Sequence, residues 1–455
     1  MNPRDVKTVA HARELVQSLK PSHIKVGIFD IDGILRGKYM SRDKFLSALD
    51  KGFGFCDVVL GWDVRDQLYD NTQFTGWHSG YPDAGVRILP ASCRIMPLEN
   101  DALFFLAEFT HEAEKICPRG LLRRVLQRGE KMGFKALAGF EYEFFVFNES
   151  SESIREKAYQ NLKAMAPAEF GYSVIRNSVH DSTYHNILNL CEKMDFPLEG
   201  LHEETGPGVL EAAIAYDKAL EAADKASLFK TFVKVAMQKE NKMATFMARW
   251  NDELPGQSGH IHLSLTDLLG KALFFDDQQA DNMSELMQQF VAGQQQLMPQ
   301  LLGMIAPTIN SYRRLVPGYW APTDASIGID NRTCAIRIIP GDKTSHRLEY
   351  RIGAADANPY IILAAVIASG LWGIENKAKL GPMVTGNAYQ QTFADDLKLP
   401  ETLWQSAQAL KTSTMARDYF GDEFVDHFVA TREWEVREYR KHISQWELDR
   451  YFEII

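Results

Sequence analysis

Sulfur chemistry is scarce in this chain. Its 455 residues hold five cysteines, Cys56, Cys93, Cys117, Cys191 and Cys334. The number is odd and no two are spaced C-x-x-C, which argues against a disulfide framework or a structural zinc site and fits a reducing cytoplasm. Long apolar runs are missing too. The longest, Ile361 to Ile374, falls short of the ~20 residues that span a bilayer and is expected to be a buried helix. The stretch from Met1 to Lys20 is charged and lacks an apolar signal core. Net positive charge is absent: the formal charge is −10, a field that draws in neither nucleic acid nor anionic lipid, so neither is expected as a partner. There is no G-x-x-x-x-G-K-[ST] loop and no G-x-G-x-x-G turn, so any nucleotide must be held another way.

What remains is an ordinary globular composition, 45% hydrophobic and 24% charged, able to bury a large core. The length allows roughly two or three domains of ~150 residues. Val6 to Leu19 has helical apolar spacing, and Ile24 to Leu35 reads as strand, glycine turn and strand. Short β-like runs continue to about Phe109. After Cys117-Pro118-Arg119 long amphipathic helices alternate with strands: 120–131, 217–242, 282–305, 359–377 and a stretch from Asp422. A boundary near residue 112 gives an N-terminal domain, 1–112, and a larger domain, 113–455.

Three segments place polar residues at i and i+2, which in a strand share one face. They are Phe140-Glu141-Tyr142-Glu143-Phe144-Phe145, Gly259-His260-Ile261-His262-Leu263-Ser264, and Arg347-Leu348-Glu349-Tyr350-Arg351. Each alone reads as a surface strand with a solvated face. Aromatics around Glu141 and Glu143 weaken that reading, because unpaired buried carboxylates are costly unless a cation compensates them. A fourth acidic segment, from His202-Glu203-Glu204 to Glu211, runs around a Gly-Pro-Gly bend; alone it reads equally well as an exposed turn. Many carboxylates with one or two imidazoles suit Mg²⁺ or Mn²⁺ rather than zinc. Arg314, Arg332, Arg337, Arg347 and Arg351 are guanidinium forks suited to phosphate or carboxylate, or else a solvated surface set.

These segments, in this order, resemble the glutamine synthetase family. The resemblance also covers Gly256-Gln257-Ser258, Asn310-Ser311-Tyr312-Arg313-Arg314, Val316-Pro317-Gly318-Tyr319, Asn331-Arg332 and Ala357-Asn358-Pro359-Tyr360. It implies an α+β fold: a small β-grasp N-terminal domain and a larger catalytic domain with a curved antiparallel sheet flanked by helices. It implies two metal positions, one held by Glu143, Glu203 and Glu211, the other by Glu141, His260 and Glu349. Gly256, Arg314 and Arg351 are expected around glutamate, and Arg332 and Arg337 at the transferring phosphoryl group. Tyr216, His262, Ser264, Arg337 and Arg347 are expected around ATP. Asp30 matches an aspartate that reaches a neighbouring subunit's site, and the family assembles as stacked rings, commonly dodecamers, with intersubunit active sites.

One position departs from the family pattern. After Val316-Pro317-Gly318-Tyr319 the family's ammonia-using members carry a glutamate that helps deprotonate ammonium. This chain has Trp320, whose indole cannot accept a proton but offers a flat face to an organic amine. The expectation is ATP-dependent ligation of an organic amine to the γ-carboxyl of glutamate, with Asp30 left as proton acceptor. Phe53, Phe55 and Trp62 of a neighbouring subunit are candidates for shaping the amine pocket. The alternatives are an ammonia-using enzyme with a divergent flap and a non-enzymatic relative.

Overall fold

The computed structural model describes residues 2–455. The N-terminal part is built on a six-stranded sheet, in which His23–Phe29 pairs antiparallel with Leu35–Ser41 and parallel with Ala102–Phe109. Alternation sends Ile24, Val26 and Ile28 into a core closed by the helices Val9–Leu19 and Arg42–Lys51. Thr8 caps the first of these helices, its hydroxyl accepting from the His11 amide.

The second sheet has nine strands and is built around the 14-residue strand Phe134–Phe147. Gly259–Asp267 lies antiparallel on one side of it and Val209–Ile214 on the other. Arg347–Tyr350 extends the sheet beyond Gly259–Asp267, and Ile336–Ile339 lies beyond that. Leu198–Glu203 forms the opposite edge. The aromatic face of the central strand, Phe140, Tyr142 and Phe144, is buried against the helix Ala219–Lys239, where the Phe229 ring centroid lies 5.9 Å from that of Phe144. That packing leaves the carboxylates of Glu141 and Glu143 on the other face.

The apolar run near residue 361 is the helix Pro359–Glu375, buried nearly all round. It crosses the helix Glu285–Ile305 at paired glycines: a Cβ on Gly293 would stand 2.6 Å from Gly373 Cα, so only glycine lets the backbones meet. Among the described residues no helix is long and apolar enough to cross a membrane. The long helices occupy the places that periodicity predicts. Their ends differ by a few residues: Pro118–Lys131, Ala219–Lys239, Glu285–Ile305, Pro359–Glu375 and Asp422–Tyr439. The short helix Val174–Val179 and the helix Asp181–Lys193 were not anticipated, although the second buries Thr183, Tyr184, Ile187, Leu190 and Cys191 at helical spacing.

Candidate active site

Strand register assembles the site. Glu141 is the cross-strand partner of His260, and Glu143 of Glu211. Glu211 in turn partners His202, while Glu349 partners both His262 and Arg337. Cross-strand partners share a face, so residues scattered from Glu141 to Glu349 line one cavity of about 630 Å³. Gly256, Arg314, Trp320, Arg332, Arg347 and Arg351 also line it.

One end of the cavity is rich in imidazole and guanidinium. His260 Nδ1 lies 3.3 Å from Glu349 Oε1 and 3.7 Å from Glu141 Oε2; His262 Nε2 lies 3.3 Å from the same Glu141 oxygen. Arg347 Nε donates to His262 Nδ1 at 3.1 Å, so in its neutral form this ring carries its proton on Nε2, facing Glu141. Arg337 donates to Glu349 Oε2 at 2.9 Å and Arg351 to Oε1 at 2.5 Å. Burial works against ionisation of Glu349, yet His260, Arg351, His262 and Arg337 together pull its pKa down to about 2. Burial also opposes ionisation of Glu141, and the two imidazoles again overcome it.

The other end is acidic. Burial, reinforced by Glu143, Glu141, Glu204 and Glu349, pushes the Glu211 carboxyl up to about 9. Carboxylates brought together this way shed one another's charge unless a cation sits among them. Ligand atoms of His202, Glu204 and Glu211 lie within 4.8 Å of one another, as do those of Glu141, His262 and Glu349. Two oxygen-rich groups with few imidazoles fit hard divalent ions of the Mg²⁺ or Mn²⁺ type.

Arg314 is buried, and its guanidinium donates to the carbonyl oxygens of Ile352 and Arg351. Gly256 packs on its stem: a Cβ there would stand 2.6 Å from Arg314 Cγ. Arg332 makes no hydrogen bond or ion pair among the described residues and lies free at the cavity wall. A second cavity of about 290 Å³ adjoins the first through Glu141, His262 and Arg347, and it brings in Tyr216 and Ser264. All the residues expected around ATP therefore meet across the two cavities, with Tyr216 66% exposed.

Two expectations need correction. Glu203 is buried on the far side of its strand, with Oε1 lacking any hydrogen-bond partner. It is Glu204 that lines the cavity and accepts from His202. Because His202 faces the cavity, alternation alone would have pointed to Glu204; choosing one residue earlier turns the carboxylate to the opposite face. Asp30 is 1% exposed and tied into its own turn. Its Oδ1 accepts from the amides of Asp32 and Ile34, and its Oδ2 from Arg36 Nε. A carboxylate so fully engaged cannot be presented to another subunit. His202 and Tyr172 were missed; their rings stack 4.3 Å apart at the cavity wall. Phe53, Phe55 and Trp62 lie outside the cavity of their own chain, under the cations of Lys38 and Arg36.

Residues 115–451 match the family model of the glutamine synthetase catalytic domain. The chain belongs to the glutamine synthetase family. Among relatives of this glutamine synthetase-family chain, type-1 glutamine synthetase 2 of Dictyostelium discoideum is 45% identical over 96% of this chain and 84% of its own length. Glutamate–isopropylamine ligase of a Pseudomonas species is 35% identical, covering the whole of both chains. A solved structure of GmaS without ligand superimposes with a TM-score of 0.83 at 24% identity, over 97% of this chain and 99% of that one. The last likeness establishes the shared fold.

Trp320 completes the wall. It stands in the left-handed region at φ 57° and is 57% exposed, an unusual posture for a bulky side chain. The neighbouring Tyr319 ring lies under the Arg249 guanidinium at 4.9 Å. Between Leu315 and Thr323 the segment carries no acidic residue.

Proposed function

We propose that this chain is a ligase that couples ATP cleavage to joining an organic amine to the γ-carboxyl of L-glutamate. The observation that carries the choice of amine is Trp320, an indole on the cavity wall in a segment free of carboxylates. An alkyl-, poly- or arylamine gains from stacking or cation–π contact there, whereas ammonium gains nothing comparable. The relative named glutamate–isopropylamine ligase supports this reading; the type-1 glutamine synthetase relative keeps ammonia as the second reading.

The reaction has two parts. The γ-carboxylate of glutamate attacks the γ-phosphorus of ATP, forming γ-glutamyl phosphate and releasing ADP. The amine nitrogen then attacks the acyl carbon and phosphate leaves, giving the γ-glutamyl amide. Activation is needed because a carboxylate is a poor electrophile. Gly256, Arg314 and Arg351 hold glutamate against the sheet. Arg332 and Arg337 face the phosphoryl group and spread its charge at the transition state. His262, Ser264, Arg347 and Tyr216 hold the nucleotide across the second cavity. Mg²⁺ or Mn²⁺, bound by Glu143, Glu204 and Glu211 and by Glu141, His260 and Glu349, would neutralise phosphate and carboxylate charge. With Asp30 withdrawn as the base, the carboxylates sharing the cavity with Trp320 are the candidates for taking the amine proton, Glu204 and Glu211 among them. The Tyr319–Trp320 segment shields the acyl phosphate from water.

The wider reading is a cytoplasmic enzyme of two domains, 1–112 and 113–455, assembled as stacked rings with sites between subunits. The deciding experiment measures phosphate release with glutamate, Mg²⁺ and ATP against isopropylamine, putrescine, aniline and ammonium. At least one organic amine is expected to exceed ammonium in kcat/KM. Ammonium turning over far faster than every organic amine would make the chain an ammonia-using glutamine synthetase.

A further inference from the structure

Behind the catalytic sheet lies a separate cavity of about 530 Å³, between the turn at Asp32 and Gly33, the helix Ala219–Lys239 and the helix Asp422–Tyr439. One wall is cationic. Lys230 and Lys234 stand one helical turn apart, on the same face of their helix. Lys230 Nζ donates to the Ala357 carbonyl oxygen at 2.8 Å and lies 5.4 Å from the Tyr142 ring centroid; Lys234 Nζ lies 5.4 Å from that of Phe246. Among the described residues neither lysine is in an ion pair. Burial, then the neighbouring Lys234, brings Lys230 down to about 7, and burial alone lowers Lys234.

Two carboxylates, Asp356 and Glu435, line the same cavity. Asp356 accepts from the hydroxyls of Thr308 and Ser311, and Glu435 accepts from the Ile309 amide at 2.9 Å. Burial, with Asp32 and Asp356 nearby, outweighs Arg432 and pushes Glu435 up to about 7. Asp356 offsets part of the Lys230 charge and Glu435 Oε2 lies 3.8 Å from Arg432 Nη1, but Lys234 has no acidic partner among the described residues, so the cavity keeps a cation without a fixed anion.

We propose that this cavity is a second small-molecule site that takes a small amino acid as its zwitterion. The carboxylate lies against Lys230 and Lys234, and the ammonium toward Glu435 and Asp356. The volume suits such a ligand, and the chain leaving this cavity runs into the active site. Phe246 and Met247 precede the loop that reaches Gly256. Thr308 and Asn310 precede Arg314, with Asn310 Nδ2 donating to Arg249 O at 2.7 Å.

The test is calorimetric titration of the full-length protein with L-norvaline, which has no γ-carboxyl to phosphorylate. Valerate and n-butylamine are the controls that carry only one of its two charges. Saturable norvaline binding is expected, with both controls weaker by at least about tenfold, as loss of one charge-assisted pairing implies. Lys234→Met is expected to abolish that binding while Mg²⁺-ADP binding persists. Thr231→Phe, which keeps both lysines and fills the cavity, is expected to do the same. No saturable norvaline binding, binding unchanged in both variants, or valerate binding as tightly as norvaline would each overturn the proposal.

Discussion

His202 Nε2 stands 3.3 Å from Glu204 Oε2, while the carboxylate of Glu203, one residue earlier, is buried on the other face. The hydrogen bond from His202 holds the Glu204 carboxyl below its ordinary pKa, so it stays ionised beside Glu211. Glu203 has its pKa raised by burial, partly offset by Arg176. Glu204→Ala is therefore expected to cut kcat by more than about a hundredfold and to weaken Mg²⁺ activation. Glu203→Gln should leave kcat within about threefold, since this side chain is buried away from the cavity and burial already works against its charge. The reverse ranking in steady-state assays would return Glu203 to the site.

Trp320 predicts a change of nucleophile. Trp320→Ala should raise KM for the preferred organic amine by roughly 3- to 30-fold, the span of a lost cation–π contact, with KM for glutamate and ATP little changed. Trp320→Glu should raise kcat/KM for ammonium relative to that for the organic amine. Equal effects on all three substrates would indicate that the indole only packs the segment.

Arg332 and Arg337 share a charge but differ in their ties. Arg332 has no hydrogen-bond or ion-pair partner among the described residues, so Arg332→Ala should lower kcat by about a hundredfold or more with an unchanged thermal midpoint. Arg337 bonds to Glu349 and to Asp330, so Arg337→Ala should lose activity and melt earlier, because Glu349 is left buried with less compensation. Calorimetry of both variants separates these outcomes.

The acidic end predicts how metal and pH interact. In the folded metal-free protein Glu211 keeps its proton up to about 9, whereas the unfolded chain releases it near 4.5. Between those values the unfolded state binds fewer protons, so this group's contribution to stability falls as pH rises and is flat above the folded value. A divalent cation beside Glu211 favours the ionised form and removes the decline. The rise in melting temperature caused by Mg²⁺ over EDTA should widen from about pH 5 to about pH 9. A gap that stays constant or narrows across this range would place the cation elsewhere.

Much of the site was legible because it is written in period two. Glu141 and Glu143, His260 and His262, and Arg347 and Glu349 announce a polar strand face, and the structure brings these faces together. Where the strand pattern was read through an assumed correspondence instead of its own alternation, the result slipped by one residue, to Glu203. Asp30 shows a different limit. A turn sequence rich in aspartate does not reveal which carboxylate is consumed by local amides and by Arg36 and which stays available. The His202–Tyr172 stack joins positions from separate segments that carry no shared period, so no local pattern could have signalled it.

By itself the sequence determined the strand and helix periods, the family motifs and the residue types offered to metal, phosphate and amine, because these depend only on spacing and side-chain chemistry. Tertiary structure decided which carboxylates face one another. Register across six strands, from His202 through Glu211, Glu143, Glu141 and His260 to Glu349 and Arg337, sets the charge gradient of the cavity. The lysine-walled cavity behind the sheet was likewise a matter of packing: Lys230 and Lys234 look like solvated helix charges until the turn at Asp32 and the helix Asp422–Tyr439 close over them.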